Sequence, residues 1–141
     1  MAYINWKETY EIGIKIIDHQ HKNLIEYLNE LHYAQTNGTG QYLVIDILQK
    51  LADYTNYHFQ TEEKLFELYI YLKADDHLTE HKYFVEQIEI FQRELKNNNL
   101  LLSLKTIDFL KDWTINHILG TDQEFGDFVC SQELSDTFKV L

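Results

Sequence analysis

The 141-residue chain has no proline, one cysteine and five glycines. Proline and glycine are the residues that break helices, so their scarcity favours long uninterrupted helices. A single cysteine, Cys130, cannot form an internal disulfide, which excludes a stapled secreted scaffold. Basic residues are also few: 12 Lys and Arg stand against 23 Asp and Glu, a formal charge of -11. Nucleic acid and anionic membrane surfaces are held by Lys and Arg, so neither is expected as a partner. No apolar run approaches the roughly 20 residues of a membrane span, and the opening Met1-Ala2-Tyr3-Ile4-Asn5-Trp6-Lys7-Glu8 lacks the basic-then-apolar layout of a signal peptide. The expectation is one soluble, cytoplasmic, acidic domain with a real core.

Turn signals divide what remains. Asn37-Gly38-Thr39-Gly40 is the clearest break, and Lys73-Ala74-Asp75-Asp76 and Asn97-Asn98-Asn99 are weaker ones. Four segments of helical length lie between them: 18–37, 41–72, 76–96 and 100–119. Asp18 and either Asp75 or Asp76 are the expected N-caps. Apolar residues recur at steps of three and four in each segment: Leu24, Ile25, Leu28 and Leu31; Ile47, Leu48, Leu51, Tyr54, Leu65 and Leu68; Phe84, Val85, Ile88, Phe91 and Leu95; Leu102, Thr106, Phe109, Leu110 and Trp113. Four such helices joined by short loops bury their stripes most economically as an all-α, antiparallel up-down-up-down four-helix bundle. Residues 1–17, with Trp6, Tyr10 and Ile12, read as an arm along a bundle of about 18–122. The tail 123–141 carries Phe125, Phe128 and Val129, enough for a short packed helix.

The chain has seven histidines, and the apolar stripes run through most of them. Stepping back from Phe84 gives His81 and His77, and stepping forward from Trp113 gives His117. Tyr54 leads to His58, Glu62 and Leu65, while His21 precedes Leu24. Each of these polar residues stands where a core side chain belongs. A buried amide or hydroxyl without a partner already costs roughly 1–3 kcal/mol, and a carboxylate costs more. A metal ion removes the difficulty by bonding each lone pair and matching the charge. His58/Glu62 and His77/His81 are four apart, about 40° around a helix and roughly 6 Å along it, so each pair can converge on one ion or on a close pair of ions. Antiparallel helices also place His21, His58/Glu62, His77/His81 and His117 at one level.

Two histidines read differently. His19 points roughly 160° away from His21, towards solvent. His32 shares the face of His21 but lies about 16 Å further along, so it is expected to pack near one end of the bundle. Cys130 falls outside the histidine level, so a cysteine nucleophile is not expected. The paired Glu-x-x-His motifs of ferritin-like di-iron carboxylate proteins are missing. There is also no Gly-rich phosphate loop and no Ser/His/Asp arrangement.

The motifs Trp6…Gly13-Ile14…Ile17-Asp18-His19-Gln20-His21, His58-Phe59-x-x-Glu62-Glu63, His77-x-x-x-His81-x-x-Phe84 and Trp113-x-x-x-His117-Ile118-x-x-x-Asp122 resemble a single-domain bacterial hemerythrin from residue 6 to residue 122. The resemblance implies two Fe ions per chain with an oxo or hydroxo bridge. His77, His81 and His117 would hold one iron, His21 and His58 the other, with Glu62 and Asp122 bridging. It implies an oxygen pocket at Leu24, Phe59, Trp113 and Ile115, with Phe84 near the histidines. Asp122 follows His117 by five residues, roughly 140° around an ideal helix, so a π-type bulge near Gly120 is expected to bring both inward. Phe66 stands where the family often has Met, and Tyr71-Leu72 lacks the family's Tyr-Pro, so the second-to-third turn is expected to differ in shape. The implied function is reversible dioxygen binding for storage, delivery or buffering by a monomer that is not an enzyme. The competing readings are a redox enzyme acting on nitric oxide or peroxide, and an oxygen or redox sensor. Zn or Mn also suits imidazole and carboxylate donors.

Overall fold

A computed structural model describes residues 2–38, 40–97 and 104–140, with side chains in the last stretch described from 105 to 133. The architecture is all-α, with no strand among the described residues: α1 Lys15–Thr36, α2 Gln41–Leu68, α3 Ala74–Lys96, α4 Leu104–His117 and α5 Gln123–Val140. Helix α1 packs against α2 and α4, and α2 packs against α3. None of the described helices is long and apolar enough to cross a membrane. Leu102, expected in the fourth stripe, and Asn98 and Asn99 of the expected turn lie outside the described residues.

The buried face of each helix follows the 3.6-residue period. Helix α1 buries Ile17, His21, Leu24, Ile25, Leu28 and Leu31, and α3 buries His77, His81, Phe84, Ile88 and Leu95. In α2 the inward row is Leu51, Thr55, His58, Glu62 and Phe66. Leu65 is only half-buried and Leu68 is exposed, contrary to the expected stripe. Leu68 lies six residues beyond Glu62, about 240° around the helix, whereas Phe66 lies four beyond it.

The arm is fastened by side chains of α1. Asn29 receives the Ile4 amide at 2.7 Å and donates to the Ile4 carbonyl at 2.9 Å. Asp18 is not an N-cap, because α1 starts at Lys15 with Ile14 before it. Its carboxylate instead accepts the amides of Ile12, at 2.7 Å, and Gly13, at 3.3 Å. Nor does either Asp75 or Asp76 cap α3. Both lie in its first turn, behind Lys73, where their charge meets the positive end of the helix dipole. His32 stacks on Tyr3 of the arm with ring centroids 3.8 Å apart, and His19 is exposed.

Two corrections concern helix ends. The tail is an 18-residue helix, longer than expected, and it continues almost directly from α4. Its Phe125 and Val129 form a second small core with Phe66 and Tyr71. Helix α2 ends four residues sooner than residue 72. The Tyr71 amide returns to the Phe66 carbonyl at 3.0 Å and the Ile70 amide to the Glu67 carbonyl at 3.3 Å, while Ile70 takes φ 51°. This is the six-to-one helix stop with a left-handed residue in the position usually held by glycine. Tyr71 packs on Phe66 at 5.7 Å, supplying the apolar contact that accompanies such a stop. A β-branched residue in this conformation costs roughly 1–2 kcal/mol. Ile70→Gly therefore raises the midpoint of thermal unfolding by about 3–5 °C, measured by circular dichroism.

Candidate metal centre

One residue of α1, two of α2, two of α3, one of α4 and one of the segment after it meet at one level of the bundle. Two overlapping groups have ligand atoms within 4.8 Å of one another: His21, His58, Glu62 and Asp122, and Glu62, His77, His81, His117 and Asp122. All seven residues are buried, and Glu62 and Asp122 are 0% exposed. Both groups contain the same two carboxylates.

Each carboxylate divides its oxygens between the two histidine groups. Glu62 Oε1 lies 2.6 Å from His58 Nε2 and 3.8 Å from His21 Nε2, while Oε2 lies 3.2 Å from His77 Nε2 and 3.7 Å from His81 Nε2. Asp122 Oδ2 lies 3.0 Å from His21 Nε2, while Oδ1 lies 2.8 Å from His77 Nε2 and 3.1 Å from His117 Nε2. Two Nε2 atoms, of His77 and His117, face each other at 3.1 Å.

Asp122 reaches this level because the helix widens. Residues Ile118–Asp122 form a π-turn in which the Gln123 amide returns to the Ile118 carbonyl, five residues earlier. The wider turn brings residue i+5 back above residue i, so Asp122 lies on the face of His117. Gly120 is exposed there, and a Cβ at that position would meet nothing within 4 Å. The turn thus does not depend on a close approach at that glycine.

The outward ring nitrogens of His58, His81 and His117 are held by side chains that the histidine pattern does not reveal, whereas Nδ1 of His21 and of His77 makes no hydrogen bond. Buried Gln20 accepts from His58 Nδ1 at 2.7 Å and is itself fixed by Thr61 at 3.2 Å. Glu63 faces His81 Nδ1 at 3.1 Å. Thr121 faces His117 Nδ1 at 2.9 Å, with Glu80 at 3.5 Å. Gln20 Oε1 and the Glu63 carboxylate can only accept, which places the Nδ1 protons of His58 and His81 outward and turns their Nε2 lone pairs towards the centre. Glu63 and Glu80 are partly exposed acids with no helical period to mark them.

Of the four residues expected to line one oxygen pocket, Phe59 and Trp113 lie against the histidines and Leu24 is buried in the same core. Phe59 stacks on His81 with centroids 3.7 Å apart and an interplanar angle of 3°. Trp113 stacks on His117 at 4.5 Å and on Phe84 at 4.1 Å. Leu24, one turn along α1 from His21, is buried in the same core as Phe59 and Phe84. Ile115 lies apart. It is half-buried and lines a surface hollow beneath the arm with Ile4, Lys7 and Tyr10. Two residues from both Trp113 and His117, it is turned about 160° away from them. The inward residues of this stretch are Thr114 and Ile118, both buried. Phe66 also belongs to the wall, its ring 4.6 Å from that of His77. A hollow of about 430 Å³ between α2 and α3 reaches Phe59, Glu63 and His81 from the surface. A larger groove of about 620 Å³, lined by Tyr3, His32 and Tyr33, lies towards the far end of α1.

The donor set fits a metal. The buried atoms His21 Nε2, His81 Nε2, both Glu62 oxygens and Asp122 Oδ2 make no hydrogen bond. So many unsatisfied polar atoms in one dry core would be costly unless a cation completes them. Protons are the alternative. Burial opposes a charge on His21, but Asp122 and Glu62 outweigh it and raise the imidazole to about 9. Burial likewise opposes a charge on His117, and the charge and hydrogen bond of Asp122, with Glu80, raise it to about 10. His77 is raised in the same way against burial, whereas burial prevails at His81 and lowers it. Burial and Asp122 push Glu62 upward, yet His58 and His21 hold it well below the usual carboxylate range. Asp122 is held low against burial by His117, His21 and His77.

Comparison with known proteins agrees with this geometry. Residues 12–129 match the family described as the hemerythrin HHE cation binding domain. A bacteriohemerythrin of Stenotrophomonas maltophilia is 35% identical over 130 residues, covering 92% of this chain and 83% of the relative. One from Clostridium acetobutylicum is 31% identical over 126 residues, covering 86% and 98%. The crystal structure of a wild-type hemerythrin superposes with a TM-score of 0.84 at 26% identity, covering 89% of this chain and 97% of that one.

The two pKa directions set a pH window for the metal-free protein. His21 and His117 are raised above 6.5, so their contribution to stability is complete below that value and is lost as pH rises through about 9 to 10. Glu62 and Asp122 are depressed, so theirs is present above their ordinary values of 4.5 and 3.8 and fades below. Chelator-treated protein should therefore melt highest near pH 5–6 and progressively lower from pH 7 to pH 10. Added divalent metal competes with the same protons, so it should bind more tightly as pH rises. Thermal melts with and without metal across this range check both signs.

Proposed function

Because the chain belongs to the hemerythrin family, we propose that the centre holds two iron ions and binds dioxygen reversibly, for storage, delivery or buffering. His77, His81 and His117 hold one ion, His21 and His58 the other, and Glu62 and Asp122 bridge them. The observation that carries this reading is the division of each carboxylate's oxygens between the two histidine groups. A single ion would have no use for two carboxylates so shared. Held there as a ferrous pair, the ions would supply the two electrons that oxygen takes up on binding and returns on release.

The rest of the work falls to the chain. Gln20, Glu63, Thr121 and Glu80 orient the rings of His58, His81 and His117, while the positions of the five histidines on their helices set an unequal three-to-two division. That inequality leaves room for a small ligand beside His21 and His58. Five neutral imidazoles and two carboxylates place less negative charge around the ions than carboxylate-rich di-iron sites do, which favours holding oxygen over activating it. Phe59 stacks on His81 and Trp113 on His117, Phe84 stacks on Trp113 behind them, and Leu24 and Ile118 are buried in the same core. This apolar wall keeps water and stray protons from the bound ligand and so slows irreversible oxidation.

Cycles of oxygen and vacuum, followed by absorption spectroscopy, test the proposal. Iron-loaded protein should gain a ligand-to-iron charge-transfer band under oxygen and lose it under vacuum, repeatedly. A band that never reverses would favour redox turnover over storage. Leu24→Glu should speed autoxidation by about tenfold or more, a barrier lowered by about 1.4 kcal/mol. Ile115→Glu, turned towards the arm, should leave the autoxidation rate near that of the parent.

A further inference from the structure

The turn between α2 and α3 carries an apolar knob that packing does not explain. Leu68, Ile70 and Leu72 are 72%, 79% and 93% exposed. Ile70 is the informative one. It occupies the left-handed position of the helix stop, where glycine would end α2 without strain. Its side chain recovers little of that strain through burial. Strained backbone and exposed aliphatic surface coincide where a surface is used by something outside the chain.

Charge surrounds the knob. Exposed Glu67, Asp75 and Asp76 flank it in sequence and outnumber the exposed Lys64 and Lys73, of which Lys73 is paired with Glu124. Glu124 is joined to the turn through Lys73 at 3.4 Å, and Glu133 through the Tyr69 hydroxyl at 3.4 Å. Beneath the knob runs a chain of rings. Tyr71 meets Phe66 at 5.7 Å and Phe66 meets His77 at 4.6 Å, with Phe125 closing on Tyr71 at 4.9 Å and on Phe66 at 4.7 Å. The knob therefore faces solvent on one side and backs, through two rings, onto a proposed iron ligand.

We propose that this turn docks a one-electron carrier protein whose redox group lies at an apolar edge ringed by Lys and Arg. The inference rests on the di-iron reading. A second copy of this chain is a poor occupant, because a two-fold pairing would set the same acidic residues against each other. An anionic bilayer is repelled for the same reason. A small apolar patch with a charged rim suits a short-lived encounter, which buries less than about 1,200 Å² and is steered by charge. In each encounter a reduced carrier gives one electron to a ferric ion and leaves oxidised. Two encounters return both ions to the ferrous state, and no bond forms between the proteins. The same route runs in reverse from the ferrous centre to two oxidised carriers.

Ferric cytochrome c, with its lysine-ringed haem edge, is the probe. Iron-loaded, ferrous full-length protein is mixed with it anaerobically, and both the dissociation constant and the rate of cytochrome reduction are measured. The parent is compared with Leu68→Ser/Ile70→Gly/Leu72→Ser and with Glu67→Lys/Asp75→Lys/Asp76→Lys. Each variant should weaken binding and slow reduction by about tenfold, and salt at about 0.3 M should do the same to the parent. The apolar variant should still reduce ferricyanide at the parental rate. Since Ile70→Gly relieves strain, that single variant should melt higher while binding more weakly, which separates docking from folding. Equal binding and equal cytochrome reduction by parent and variants would overturn the docking surface and leave the di-iron reading standing. Failure of the parent to pass electrons even to ferricyanide would overturn the di-iron reading, and the inference with it.

Discussion

Two carboxylates with no exposed surface, Glu62 and Asp122, set the terms for the rest of this structure. Their charge cannot be left uncompensated in a dry core, and no lysine or arginine enters it: the buried polar residues among those described are Gln, His, Thr, Glu and Asp. Compensation therefore comes from imidazoles or from the metal those imidazoles hold. The five imidazoles surround the pair from four directions, and each carboxylate offers one oxygen to each side. The long helices follow from the same constraint. Donors on separate elements keep a fixed separation only if those elements are stiff, and a proline-free chain supplies stiff helices.

The outward partners extend the constraint by one layer. Gln20, Glu63, Glu80 and Thr121 hold the outward Nδ1 of His58, His81 and His117, so that Nε2 of these three faces inward. Beyond them the protein is acidic, and removing Glu62 and Asp122 from the formal charge of -11 leaves -9 for the remainder. An acidic exterior repels anionic surfaces and attracts cationic ones, so net charge weights the choice of partner. The α2–α3 turn sharpens this point. There the chain accepts a left-handed isoleucine to keep aliphatic surface outside, where folding gains little from it.

Much of this was legible in the sequence, and the reasons differ by residue. His21, His58, Glu62, His77, His81 and His117 interrupt apolar stripes, so the 3.6-residue period alone places them at core positions. Asp122 breaks the period, and only the resemblance named it; its place depends on the π-turn. Gln20, Glu80 and Thr121 escaped because a hydrogen bond to a ring nitrogen leaves no repeat in the chain. Ile115 was assigned to the pocket by resemblance alone, and helix phase turns it towards the arm. The end of α2 was placed too late because its stop uses isoleucine where glycine would have signalled it. Asp18 showed as polar at a helix start, but its carboxylate serves the amides of the arm and not those of its own helix.

If Glu62 and Asp122 bridge two metal ions, metal stoichiometry shows it most directly. Iron per chain should be determined by elemental analysis after anaerobic loading and removal of excess, for the parent and for Asp122→Ala. The parent should hold two iron ions, and tightly held iron should be lost when the bridge is removed. One ion or none in the parent, or two ions retained without Asp122, would contradict it.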